Sequence, residues 1–147
     1  MDRNILFLCT GNSARSQMGE ALLREHGGGY FRAFSAGTEP KAEIFLPVVE
    51  VMSEIGIDIS TQKPKSVKKY LGKVHFEKVI IVCGDAEKKC PVIFGPEQRI
   101  FWPFDDPVKA AGSREDVLSV CRMVRNQIDK RICEWLREQD IFVKPFS

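Results

Sequence analysis

The chain has 147 residues and a mass of 16.7 kDa, the size of one domain. Its 44% hydrophobic and 29% charged residues argue against collagen, a disordered chain and a disulfide-stapled mini-protein, and its net charge of +2 against nucleic-acid binding. No apolar run approaches the roughly 18 residues of a membrane span, and Met1-Asp2-Arg3-Asn4 before a five-residue apolar run does not make a signal peptide, so a cytoplasmic monomer is expected.

The first strand is expected over Ile5–Cys9, a continuous apolar run of the kind buried in parallel sheets. A polar turn, Thr10-Gly11-Asn12-Ser13, leads into a helix from Ala14 to Glu25, which Gly27-Gly28-Gly29 stops. Tyr30–Ala36 reads as a second strand. Pro47–Ile55 reads as a second helix, with proline in its first turn and Gly56 at its end. A short helix is expected over Ser66–Leu71, a buried strand over Lys78–Cys83, and a short strand over Arg99–Trp102. The last helix is expected from Arg114 to Arg137, with Val117, Leu118, Cys121, Val124, Ile128, Ile132 and Trp135 as its apolar stripe.

Strands alternating with helices imply a parallel α/β sheet of four strands in a three-layer sandwich, with residues 1–138 as the domain and 139–147 as a docked tail. Ligands of such folds bind outside the carboxyl ends of the strands, where both Cys9 and Cys83 are expected. The five cysteines, Cys9, Cys83, Cys90, Cys121 and Cys133, form no CxxC pair and make an odd count, which argues against a disulfide framework. The only histidines, His26 and His75, are far from them in sequence, so no zinc site is expected. Cys121 and Cys133 lie on the apolar side of the last helix and read as core.

The segment from Cys9 to Ser16 has the form Cys, five residues, Arg, Ser, between a strand and a helix. Backbone N–H groups of Thr10, Gly11, Asn12, Ser13, Ala14, Arg15 and Ser16 can converge there on a tetrahedral oxyanion. Gly11 would permit the close backbone approach, and Arg15 offers a planar fork to two anion oxygens. The same field, with Ser16 as donor, is expected to lower the pKa of Cys9 and make it a nucleophilic thiolate. The competing reading is an inert core cysteine, which leaves the glycine, arginine and serine at this junction unexplained.

This Cys-x5-Arg-Ser loop resembles that of low-molecular-weight protein tyrosine phosphatases. The fuller string Cys-Thr-Gly-Asn-Ser-x-Arg-Ser-Gln-Met is similar to that of the thioredoxin-coupled arsenate reductases built on the same fold. The likeness continues in Ser35-Ala36-Gly37, Gly56-Ile57-Asp58-Ile59-Ser60 and Phe104-Asp105-Asp106-Pro107, and reaches to about residue 137. Ala14 departs from it, standing where many of these reductases carry a further cysteine.

The resemblance places a general acid immediately before the proline, at Asp106; on the residues alone, Asp-Asp-Pro is also ordinary turn chemistry. It also implies a relay. Cys9 attacks arsenate, Cys83 attacks Cys9 and expels arsenite, and Cys90 attacks Cys83 to free Cys9, with thioredoxin or a similar dithiol donor restoring the thiols. No bound redox cofactor is expected, and phosphate or sulfate would act as substrate analogues. Lys88 and Lys89 would favour thiolate at Cys90, and Gly84 and Pro91 bracket this polar segment. Some of these reductases bind potassium through residues matching Asn12, Glu20 and Ser35 and a carboxylate whose place falls near Lys65. The ammonium of Lys65 is expected to take the ion's position and pair with Glu20, so no metal is expected at the site. The alternative functions are a phosphatase acting on phosphotyrosine through a phosphocysteine, and a non-catalytic redox sensor or oxyanion-binding module.

Overall fold

The computed structural model describes residues 3–84 and 94–146. Strands β1 (Asn4–Cys9), β2 (Arg32–Gly37), β3 (Lys78–Ile81) and β4 (Arg99–Phe101) form one parallel sheet in the order β2-β1-β3-β4. Three α-helices flank it among the described residues: α1 (Arg15–Gly27), α2 (Leu46–Ser53) and α3 (Arg114–Glu138). Single 3-10 turns occupy Val67–Lys69 and Pro107–Lys109. No described helix is long and apolar enough to cross a membrane. Cys90, with Lys88 and Lys89, lies outside the described residues.

β1 is a central strand, and Ile5, Leu6, Phe7 and Leu8 are all fully buried, as a strand covered on both faces requires. Successive side chains point to opposite faces. Phe7, in register with Ser35 and Ile80, faces α1, where its ring lies against Gly19. Leu6, in register with Phe34 and Val79, faces the other way. There the Phe34 ring meets Tyr70 at 5.3 Å and Phe76 at 5.4 Å, so the connection between α2 and β3 closes the second face.

α3 packs on α1 and α2 through Leu118, Cys121, Val124, Ile128, Ile132, Trp135 and Leu136, all buried, while Val117 is half-buried. Its first turn is closed by a capping box, Ser113 Oγ accepting from Asp116 N–H (3.1 Å) and Asp116 Oδ2 from Ser113 N–H (3.0 Å). Two polar residues share the buried face. Arg125 donates to Val51 O (2.7 Å) and Glu54 Oε1 (2.9 Å) at the end of α2, and Asp129 meets His26 of α1. After α3 the chain turns at Asp140 (φ 63°) and buries Ile141.

The elements differ from expectation mainly at their ends. α1 runs on to Gly27, which packs against Leu136 and Leu23. Tyr30 and Phe31 N–H both bond to Gly27 O, so β2 begins at Arg32 rather than Tyr30. The Ser66–Leu71 helix is only a 3-10 turn, with Ser66 Oγ as its cap (3.2 Å to Lys68 N). β3 ends at Ile81, although Val82 N–H still reaches Leu8 O at 3.0 Å. Cys83 therefore sits two residues past the strand.

Replacing an interior helical glycine by alanine ordinarily stabilises by about 0.8–1 kcal/mol. At Gly19 the sign reverses, because a Cβ there would lie 2.5 Å from Phe7 Cδ1. Gly19→Ala is expected to cost about 1–3 kcal/mol, read as a lower midpoint of urea unfolding.

Candidate active site

The segment from Cys9 to Ser16 joins the end of β1 to the start of α1 and floors a cavity of about 400 Å³. Its backbone is held from behind. Thr38 N–H takes Cys9 O (3.1 Å), Glu39 N–H takes Thr10 O (2.9 Å), Lys41 N–H takes Gly11 O (2.9 Å) and Phe45 N–H takes Ser13 O (2.9 Å). Gln17 Nε2 takes Asn12 O (3.0 Å) and Met18 N–H takes Ala14 O (3.0 Å). In a trans peptide the next N–H points opposite to each carbonyl, so these bonds turn the loop's amides toward the cavity. α1 starts at Arg15 after Ala14, with no side-chain cap on its first-turn amides.

Asn12 carries the bend. It is the loop residue with positive φ (49°), a conformation asparagine tolerates better than most residues. Asn12 Nδ2 donates to Ser16 Oγ (2.7 Å), and Oδ1 accepts from Gln17 Nε2 (3.0 Å) and from Lys65 N–H (2.8 Å). Gly11 is not required by the loop's own packing. Its φ is not positive, and a Cβ there would meet only the flexible Lys41 side chain, at 3.3 Å. The glycine required by close approach is Gly37 at the end of β2, where a Cβ would lie 2.4 Å from Thr10 O.

Cys9 Sγ is buried, bonded to Ser16 Oγ at 2.8 Å and accepting Asn12 N–H at 3.0 Å. Cys83 Sγ accepts Thr10 N–H at 3.2 Å and lies 3.5 Å from Thr10 Oγ1. The expectation of a lowered Cys9 pKa is not met in this arrangement. A hydrogen bond shared with Cys83 and then burial hold the Cys9 thiol well above its ordinary value, and outweigh the opposing pull of Ser16 and Asn12 N–H.

Arg15 Nη1 donates to Phe104 O (2.8 Å), and Nη2 lies 3.5 Å from Asp106 Oδ2. Asp106 lines the cavity and also caps the Pro107–Lys109 turn, its Oδ1 accepting Val108 N–H at 3.0 Å. One oxygen of Asp106 thus holds the turn while the other faces Arg15. Glu39, Lys41, Gly84, Val108 and Lys109 complete the cavity wall.

Behind the loop, Ser35 Oγ donates to Glu20 Oε1 (2.7 Å), and Lys65 Nζ lies 3.7 Å from the same oxygen. Lys65 Nζ also donates to Ser35 Oγ (3.3 Å) and Lys63 O (3.0 Å). Burial lowers the Lys65 pKa, while Glu20 opposes that shift. Cys121 and Cys133 are buried away from the cavity, each pushed up to about 11, chiefly by desolvation. Sequence reading singled out neither Gln17 nor the Phe104 carbonyl. A glutamine on a helix and a main-chain oxygen carry no local pattern.

The family model for low molecular weight phosphotyrosine protein phosphatase matches residues 4–144. An arsenate reductase of Halalkalibacterium halodurans is 41% identical over 128 residues, covering 87% of this chain and 91% of that protein. One of Bacillus subtilis is 37% identical over 131 residues, covering 89% and 93%. A solved structure described as an arsenate reductase in oxidized state superposes with a TM-score of 0.71 at 28% identity, over 92% of this chain and 98% of that one.

Because the bond to Cys83 is the largest cause of the high Cys9 pKa, Cys83→Ala is expected to lower it. The alkylation of Cys9 by iodoacetamide at neutral pH, followed by peptide mass spectrometry, then becomes faster, with its pH profile shifted to lower pH. Ser16→Ala shifts the profile the opposite way.

Proposed function

As the chain belongs to the low molecular weight phosphotyrosine protein phosphatase family, we propose that it is the arsenate-reducing kind of member, working by a three-thiol relay. One observation carries the reading: Cys83 Sγ sits against the nucleophile's own loop, accepting Thr10 N–H at 3.2 Å, near enough to Cys9 to raise its pKa. Hydrolysis transfers no electrons and uses one thiol. Reducing arsenate to arsenite takes two electrons, and a second thiol beside the first supplies them.

Arsenate enters the cavity and is held by the inward amides of residues 10–16, with Arg15 exchanging its Phe104 and Asp106 partners for two arsenate oxygens. Cys9 Sγ forms a bond to arsenic while an arsenic–oxygen bond breaks. The oxygen leaves as water, taking up the thiol's proton through Asp106, which the departure of Arg15 frees. A protonated Cys9 at rest suits this step, since its proton is consumed in it. Cys83 thiolate then attacks Cys9 Sγ. The sulfur–arsenic pair of electrons stays on arsenic, arsenite leaves, and a Cys9–Cys83 disulfide remains. Cys90 attacks Cys83 and releases Cys9 as thiolate, leaving a Cys83–Cys90 disulfide for an external dithiol such as thioredoxin to reduce. The electrons come through thiols, so no bound redox cofactor is needed.

Arsenate-dependent NADPH oxidation in the presence of thioredoxin and its reductase tests the relay. Turnover is expected in the wild type and falls to background in Cys83→Ser and in Cys90→Ser. Absent turnover, with aryl-phosphate hydrolysis that survives both substitutions and is lost in Cys9→Ser, would make the protein a phosphatase.

The Lys65 ammonium, set among Glu20, Ser35 and the Lys63 carbonyl, supplies the positive charge behind the loop from the chain itself. Rates measured in potassium and in sodium chloride at equal ionic strength are therefore expected to coincide. A clear preference for potassium would overturn this role for Lys65.

A further inference from the structure

His26, in the last turn of α1, is 11 residues and so roughly 16 Å along the helix from Arg15. It meets Asp129 and Cys133 of α3, with Nε2 2.7 Å from Asp129 Oδ1. One potential ligand atom from each of the three residues lies within 4.8 Å of the other two. The side chains of His26 and Asp129 are 6% and 1% exposed, and Cys133 is buried. Asp129 and Cys133 are four positions apart, so they project from one face of α3 toward a common point, and His26 approaches from a second helix. The relay uses none of the three.

We propose that His26, Asp129 and Cys133 form a second site, for a divalent cation of the zinc class, that ties the end of α1 to α3. The donor set supports this class: imidazole nitrogen, thiolate sulfur and carboxylate oxygen are the ligands such ions select. Bonds of about 2.0–2.3 Å place neighbouring ligand atoms roughly 3.3–3.8 Å apart around a tetrahedral ion. Reaching that spacing takes about 1 Å of side-chain adjustment: the ligand atoms, now within 4.8 Å of one another, close, while the 2.7 Å hydrogen bond between His26 and Asp129 opens, and water completes the coordination.

The carboxylate already has the outer partner that ligating carboxylates carry. Asp129 Oδ2 accepts Phe146 N–H at 2.6 Å, and the Phe146 ring lies on the His26 imidazole with centroids 4.7 Å apart. The pair of His26 and Asp129 is satisfied without an ion, but it does not account for a thiol directed at it from the same helix face. The ligand is the thiolate rather than the thiol, so binding releases the Cys133 proton to solvent as the sulfur–metal bond forms.

The test uses Co²⁺ alone as probe, in the full chain carrying Cys9→Ser, Cys83→Ser and Cys90→Ser, which removes the thiols of the relay. One equivalent of Co²⁺ is expected to give tetrahedral d–d bands and a thiolate-to-cobalt charge-transfer band, both abolished by competing Zn²⁺. Adding Cys133→Ala removes the charge-transfer band and weakens binding about tenfold or more, and His26→Gln weakens it similarly. Cys133→Ala leaves the contacts among His26, Asp129 and Phe146 in place. Its circular dichroism and metal-free Tm serve as the control for folding. No saturable cobalt band in the triple variant, or a charge-transfer band that persists after Cys133→Ala, would overturn the proposal.

Discussion

The site depends on how the carbonyls of one short loop are occupied. From Cys9 to Ala14 each carbonyl oxygen is bonded from behind, four of them by main-chain N–H groups of residues 38–45. A peptide unit fixed at its oxygen is fixed at its nitrogen as well, so the segment after β2 determines where the loop's amides point. The close contact of Gly37 with Thr10 O is part of the same arrangement. A side chain at that position would separate β2 from the loop and release the carbonyls it holds. The loop is thus oriented by a neighbouring strand and its continuation, and the chemistry of its own residues acts within that frame.

The sheet brings the two sulfurs together by the same kind of constraint. β1 and β3 pair in parallel with Leu8 opposite Ile81, and Val82 N–H continues the ladder to Leu8 O. Counting on from that register puts Thr10 beside Cys83, where Thr10 N–H meets the sulfur. Cys83 lies past the regular strand, and its side chain is therefore free of the pleat and turns toward the loop. The cost is electrostatic: two buried thiols that share a hydrogen bond favour protonation. Arg15 does not relieve this at rest, because Phe104 O and Asp106 engage its guanidinium. In the proposed cycle an incoming oxyanion competes for the same fork, which would couple anion binding to the release of Asp106 through one side chain.

Charge behind the loop is balanced in layers. Glu20 is buried on α1 and accepts from Ser35, with Arg24 at 2.6 Å and Lys65 at 3.7 Å. Asn12 joins this layer to the surroundings of Cys9, since its side chain holds both Ser16 and the Lys65 backbone. Buried polar groups are tolerated only when their bonds are made, and Asn12, Ser16, Gln17, Glu20 and Ser35 make theirs largely to one another. The network also fixes the left-handed turn at Asn12, which a residue without such partners would not hold.

The apolar run of β1, the periodic stripe of α3, the proline in the first turn of α2 and the spacing of Cys9, Arg15 and Ser16 are local patterns. They determined the strand–helix alternation and marked the loop without reference to anything distant. The loop's required glycine and the state of the Cys9 thiol were not legible, because each depends on a partner from another part of the chain. Thr10 O makes Gly37 necessary, and Cys83 raises the Cys9 pKa. The same reason explains His26, set aside because the cysteines are remote in sequence, yet brought beside Asp129 and Cys133 by the packing of α1 on α3. Propensity and periodicity act over a few residues and are written in the sequence, whereas burial, desolvation and hydrogen bonding across elements exist only once the tertiary structure has formed.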